Sequence, residues 1–221
     1  MKLFINLCKF FAAALLTAGL MPPPARASGF ELWHTEAQQI KVSRKITLAF
    51  QQTFRFNDDG TLYHQEYDFG FRKDLSQNWD WGLNYRLVYV KNDAEELEEE
   101  RRPQFLINWK HDHASYSVQD RNILEYRAHD HKPDSWRYRN KFTLSGLYFH
   151  GGHILFRPYA ADEIFVDMTD WGFVRNRFYA GVYADIFKAL TAEIYYLRQS
   201  TKIGSVWTQT NVAGSSIKLS F

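Results

Sequence analysis

The residues best placed to do chemistry in this 221-residue chain are arginines and carboxylates that recur two apart. Arg137 and Arg139 form one such pair and Arg175 and Arg177 another, with Arg55, Arg72, Arg86, Arg121, Arg127 and Arg157 spaced between and before them. Residues two apart share one side of an extended strand. Glu66, Asp68, Glu125 and Glu163 fall on the same parity within their own segments. A guanidinium fork matches a carboxylate with two parallel hydrogen bonds, and it matches a phosphate equally well. The set therefore reads either as a solid core of ion pairs between strands or as a surface that attracts anions or a phosphorylated lipid. Polar interiors are ordinary for barrels, so the core reading is favoured. The cluster is taken as Arg86, Arg121, Glu125, Arg127, Arg137, Arg139, Arg157, Glu163, Arg175 and Arg177.

Other chemistries fare worse. The eight histidines are His34, His64, His111, His113, His129, His131, His150 and His153. His111-Asp112-His113 and His129-Asp130-His131 are alternating triplets, and with His150 and His153 they could offer imidazoles to a metal. Exposed triplets on separate connectors make a weak ligand set, and no metal site or cofactor is assigned. A hydrolase needs Ser or Thr beside a base that a third group orients. No G-x-S-x-G string occurs, and His150-Gly151-Gly152-His153 after Ser145 reads as a turn. No catalytic residue is assigned, and an enzyme is the less favoured reading. Asp93, Glu95, Glu96, Glu98, Glu99 and Glu100 form an acidic run that reads as a solvated loop, with cation bridging to lipopolysaccharide as the alternative.

These residues need a scaffold, and the period of the chain names it. Ile46, Leu48, Phe50, Phe54 and Phe56 alternate with Thr47, Gln51, Thr53 and Arg55. Trp79, Trp81, Leu83, Tyr85, Leu87 and Tyr89 alternate with Asp80, Asn84 and Arg86. Period two continues to the end of the chain, which predicts strands. The candidates are 30–41, 45–57, 61–74, 78–91, 101–111, 113–128, 136–148, 153–165, 172–186, 190–200 and 208–221. Many exceed ten residues, long for a globular strand and suited to one that crosses a bilayer at a tilt. A mean hydropathy of −0.44 excludes a bundle of membrane-spanning helices. The expected fold is an all-β, antiparallel, up-and-down transmembrane barrel.

Two ends of the chain sharpen this. Lys2 and Lys9 precede an apolar run at 10–20, three prolines at 22–24 and Ala25-Arg26-Ala27. That pattern reads as a cleaved signal peptide over 1–27, leaving a barrel domain at 28–221. The mature chain then carries 24 Lys and Arg against 25 Asp and Glu, and Cys8 leaves with the leader. Net charge gives no case for nucleic acid. At the other end Phe221 closes an alternating strand, like the C-terminal assembly signal of bacterial outer-membrane barrels. If that end is periplasmic, the connectors at 92–100, 129–135, 166–171 and 201–207 lie outside and are the longer ones. Trp79, Trp81 and Trp109 then sit at periplasmic strand ends and Trp136, Trp171 and Trp207 at outer ends, as two girdles do. Eleven candidates conflict with the even count of bacterial barrels. The irregular segment 30–41 is read as lying outside a ten-stranded barrel, or else one strand is mis-split and the count is twelve.

Several strings give a further lead: Asn84-Tyr85-Arg86, Arg121 to Arg127 (RNILEYR), Trp136-Arg137-Tyr138-Arg139, Asp162-Glu163-Ile164-Phe165, Arg175-Asn176-Arg177 and Tyr195-Tyr196-Leu197. In order and spacing they resemble an uncharacterised Gram-negative family, domain of unknown function 2490, from about Trp33 to Phe221. Glu-Glu-Arg-Arg-Pro at 99–103 departs from the Asn-Arg-Pro that the family often shows. The resemblance implies an outer-membrane barrel and carries no catalytic residues. The expected location is the outer membrane, with its lipids and lipopolysaccharide as surroundings and the barrel-assembly machinery as a partner in biogenesis. The favoured role is structural or porin-like transport. The alternatives are a lipid- or lipopolysaccharide-modifying enzyme and a surface-binding protein.

Overall fold

The computed structural model describes residues 27–92, 96–130, 132–150, 153–169 and 171–221. The leader expected over 1–27 lies almost wholly outside them. Eleven long strands form the wall: β1 (Ala27–Lys41), β2 (Ile46–Phe56), β3 (Leu62–Asp74), β4 (Trp79–Lys91), β5 (Leu97–Asp112), β6 (Tyr116–His129), β7 (Ser135–Gly146), β9 (His153–Asp167), β10 (Gly172–Phe187), β11 (Leu190–Ile203) and β12 (Val206–Ser220). A three-residue strand, β8 (Tyr148–His150), pairs only with the start of β9. Neighbours in sequence pair antiparallel around the wall, with β7 joined to β9.

The closure corrects the expected count. The segment expected to lie outside a ten-stranded barrel is β1, and it is in the wall. It pairs antiparallel with β2, as Leu32↔Phe56 through Lys41↔Thr47. It also pairs parallel with β12, as Phe30↔Asn211 through Gln39↔Ser220. Phe221 completes this seam: its N–H donates to the Gln39 carbonyl at 2.9 Å, and its carbonyl accepts the Lys41 N–H at 2.9 Å. An odd number of up-and-down strands can close only through one parallel pair, so neither ten nor twelve holds.

The connectors are short at both rims, which corrects the expected asymmetry. Of the acidic run, Glu98, Glu99 and Glu100 lie within β5, which begins at Leu97, and Asp93 and Glu95 fall outside the described residues. Residues 201–207 contract to a two-residue turn at 204–205, where Gly204 takes a φ of 61°. The 57–61 turn is stiffened by its own side chains. The Thr61 N–H donates to Asn57 Oδ1 at 2.8 Å and to Asp59 Oδ1 at 2.7 Å, and the Thr61 hydroxyl first and its N–H second hold the Asp59 carboxyl below the usual range.

The distribution of polarity is inverted relative to a globular protein. Glu125 and Glu163 are 0% and 1% exposed inside the barrel, whereas Phe69, Trp136 and Ile194 on the outer surface are 53%, 49% and 65% exposed. Beneath the charged half the interior is filled by rings and aliphatics, with Trp33, Tyr159, Tyr179, Leu197 and Val212 packed against Tyr183 and Tyr195. Glycines make this possible. Tyr195 is flanked in the ladder by Gly181 and Gly214, and a Cβ at Gly214 would meet its ring at 2.0 Å.

Candidate functional site

The even register of the strands turns the alternating arginines inward, where cross-strand pairing builds a network around four carboxylates. Glu66 on β3 takes Arg55, His64 at 2.7 Å and Arg86 at 2.8 Å, and Arg86 also holds Asp68 at 2.8 Å. Glu100 receives both Nε and Nη2 of Arg102 at 2.6 Å, together with Arg127 at 2.6 and 3.1 Å. Glu125 takes Arg137, Arg139 at 3.3 Å and the Gln104 amide at 3.0 Å. Glu163 takes Arg139 at 2.7 Å, the Tyr179 hydroxyl at 2.8 Å and Arg177 at 3.7 Å. Arg139 thus bridges Glu125 and Glu163 and links β6, β7, β9 and β10. Charge-assisted bonds of this kind fix adjacent strands in one register.

Two aromatic side chains space the cations. Trp33 lies beneath Arg55 at 4.0 Å and Arg177 at 4.8 Å. Phe165 is ringed by Arg137, Arg139, Arg175 and Arg177, at 5.3, 4.9, 5.6 and 4.9 Å from its centroid. Guanidiniums over ring faces gain quadrupole attraction that partly offsets their mutual repulsion. Below them the Lys141 ammonium sits 3.7 Å from the Tyr179 centroid.

The expected cluster is not uniform. Arg86, Arg127, Arg137, Arg139, Glu125, Glu163, Arg175 and Arg177 gather in the half of the barrel nearer the Asn57 rim. Arg157 is apart from them, bonded to Asp185 at 2.8 Å toward the Ser43 rim, with side chains 30% and 34% exposed. Arg121 is inward but makes no ion pair among the described residues, and its Nε is buried without a partner. Arg102 and Glu100 belong to the network although the sequence placed Glu100 in a solvated loop. Trp33 and Phe165 belong to it too.

The same half holds a small cavity, partly open to solvent, lined by Arg55, Arg86, Arg102, Arg137, Arg139, Arg175 and Arg177 with His64, Glu66 and Phe165. Seven arginines thus face one lining carboxylate. Arg175 has no carboxylate in ion-pair range among the described residues; its Nε donates to Thr201 Oγ1 at 3.2 Å.

The expected histidine set falls partly outside the described residues. No group of three or more metal-ligating side chains occurs among the described residues. His111 stacks on Trp109 and His113 on Tyr116. His129 lies 3.7 Å from Glu100, and His131 falls outside the described residues, as do the side chains of His150 and His153.

The outward face carries one constellation that sequence spacing could not reveal. Across the β1–β12 seam, His34 stands opposite Ser215, with Nδ1 2.9 Å from Oγ. Its Nε2 lies 3.6 Å from Glu36 Oε1, and Gln52 donates to the other oxygen of Glu36. A second polar patch on β6, β7, β9 and β10 is internally bonded: Asn140 donates to Asp120 at 2.5 Å and Asn176 to Asp162 at 2.7 Å.

Neither a curated protein nor a solved structure matches this chain. The family described as "Protein of unknown function (DUF2490)" matches residues 30–210, and those residues run from the seam strand β1 into β12. A match over most of the wall decides the matter, and the chain belongs to that family.

Proposed function

We propose that this chain is an integral outer-membrane β-barrel with a closed lumen, structural or ligand-holding rather than an open pore. The observation that carries the reading is the inverted wall. Charged side chains fill the inside, while Leu83, Phe105, Phe142, Ile194 and Ile217 stand exposed outside. A barrel in water would reverse that arrangement, and a lipid-facing arginine at the bilayer midplane costs about 2–4 kcal/mol. The lumen supports closure. The tyrosine cluster and the Arg–carboxylate network both occupy it, and the cavity inside the network is far smaller than a through-channel. Lipids and lipopolysaccharide surround such a wall, and the barrel-assembly machinery inserts it after removal of the leader over 1–27.

Folded protein reconstituted in planar bilayers tests the closed lumen. The expected record has no regular conductance steps. Steady openings from heat-modifiable, membrane-extracted protein would replace this reading with a pore, and release of the protein by carbonate would remove it from the membrane altogether.

A second reading rests on Ser215, His34 and Glu36. Their order is that of nucleophile, base and orienting acid on the lipid-facing side. It favours a lipid acyl hydrolase or transferase. Ser215 Oγ would attack the acyl carbonyl of an ester and pass its proton to His34 Nδ1; the ester C–O bond would then break, and the imidazolium would return that proton to the departing alcohol, leaving an acyl–Ser215 ester for water or a second alcohol to take. A fluorophosphonate probe should then label the wild type and not Ser215→Ala. Equal labelling of both removes this reading.

A further inference from the structure

We propose that the arginine-lined cavity near the Asn57 rim is a binding site for a small oxyanion, of the phosphate or phosphomonoester class. The proposal rests on the folded barrel described above but not on its membrane location.

Charge is the first argument. In this half of the barrel the carboxylates that pair with arginines, Glu66, Asp68, Glu100, Glu125 and Glu163, stand against eight arginines, namely the seven that line the cavity and Arg127. Glu31 also faces inward there, but it accepts from Trp33 Nε1 and the Tyr63 hydroxyl. Guanidiniums therefore outnumber the carboxylates bonded to them. Burial of uncompensated charge is costly, and a bound anion removes the deficit.

Donor geometry is the second. Arg55 Nε and Arg139 Nε are buried without a hydrogen-bond partner. Arg175 has only the Thr201 hydroxyl, and its guanidinium otherwise lies over the Phe165 ring, 5.6 Å from the centroid, with no acceptor there. Guanidinium forks recognise tetrahedral oxyanions in the same bidentate manner as carboxylates. A structural network alone would pair its cations with carboxylates, as Arg102 is paired with Glu100.

Shape is the third. The cavity is small and its walls are mostly guanidinium, with Phe165 as the one apolar side chain in the lining. Such a space suits a compact oxyanion and not a whole lipid. The site therefore takes either free phosphate or the phosphorylated end of a larger molecule.

The experiment uses the mature chain folded in detergent. The temperature at which the folded band disappears from unboiled gels is read in sodium phosphate, in glycerol phosphate and in sodium chloride at matched ionic strength. Phosphate should raise that temperature saturably, by roughly 5–10 °C at a hundredfold excess over Kd. Arg175→Met should abolish the rise, while Arg157→Gln, toward the opposite rim, should keep it. Glycerol phosphate acting at tenfold lower concentration than phosphate assigns a phosphorylated headgroup, and equal potency assigns the free ion. Equal temperatures in both phosphates and in chloride, or a full rise in Arg175→Met, overturn the proposal. Should Arg175→Met fail to fold, the phosphorus NMR linewidth of phosphate with folded wild type decides instead: broadening beyond that with unfolded chain supports the site, and its absence overturns it. Conductance and fractionation are read separately, so loss of the site is distinguishable from loss of the membrane reading.

Discussion

Glu163→Gln is the sharpest probe of the ion network. The carboxylate is 1% exposed and receives Arg139 at 2.7 Å, the Tyr179 hydroxyl at 2.8 Å and Arg177 at 3.7 Å. The amide is nearly isosteric, so no cavity opens and only charge and polarity change. One amide oxygen still accepts, but the amide nitrogen is a donor and must face either Arg139 or Tyr179, both donors themselves. Breaking a buried ion pair from one side costs about 3–5 kcal/mol. Arg139 retains Glu125 at 3.3 Å and Arg177 retains Gln199 at 2.8 Å, so the lower end applies. About 3 kcal/mol corresponds to a fall of roughly 6–12 °C in the midpoint for a domain of this size.

The assay is a temperature series on unboiled gels, with Asp185→Asn as the companion. Asp185 pairs with Arg157 at 2.8 Å where both side chains are about one-third exposed, so its loss costs under about 1 kcal/mol. A Glu163→Gln midpoint within about 2 °C of wild type would refute the reasoning, because an unpaired buried arginine cannot be that inexpensive. Equal shifts in the two variants would refute it as well, by showing that depth in the lumen does not matter.

Three further outcomes are expected. Gly214→Ala drives a Cβ into the Tyr195 ring and should destabilise the barrel by about 1–3 kcal/mol, with Tyr195→Leu in the same chain restoring part of the loss. Deleting Phe221 removes both of its seam hydrogen bonds to β1 and should lower the amount of heat-modifiable protein in the outer membrane, as quantified by immunoblot against a loop-tagged control. An epitope placed before Gly29 should label on intact cells if Phe221 is periplasmic, because the two termini lie at opposite rims; protection of that epitope would mean that the seam is not parallel.

Most of the wall was legible because alternation is local. Ten of the eleven long strands announce themselves by apolar residues two apart facing outward. β1 does not, and the reason is visible in the structure. Its outward residues mix Phe30, Leu32 and Ile40 with His34, Glu36 and Gln38, and its inward ones mix Trp33 and Ala37 with Glu31 and Thr35, so no steady contrast of polarity runs along the seam. A segment without steady contrast reads as irregular, and the parity rule then favoured discarding it. The acidic run failed for another reason. Among adjacent glutamates composition cannot say which one points inward, and only the register Glu100↔His129 places Glu100 beside Arg102 and Arg127. Phe165 shares the parity of Glu163, but an apolar residue among charges carries no signal until four guanidiniums are seen around it. Ser215 and His34 lie 181 residues apart, and no motif spans that distance.

The parallel seam ties these features together. The register of β1 places Trp33 inside, where it lies beneath Arg55 and Arg177, and places His34 and Glu36 outside, where Ser215 meets His34. One register choice therefore sets both the aromatic floor of the arginine cavity and the outward Ser–His–Glu group. A slip of one residue in β1 would turn Glu36 inward and Trp33 and Glu31 outward. It would exchange one carboxylate for another and remove the ring that spaces the cations. In the observed register the inward Glu31 is bonded to Trp33 Nε1 and the Tyr63 hydroxyl and forms no ion pair with an arginine among the described residues, so β1 supplies the cavity with a ring and no paired counter-charge, which leaves that role to a ligand.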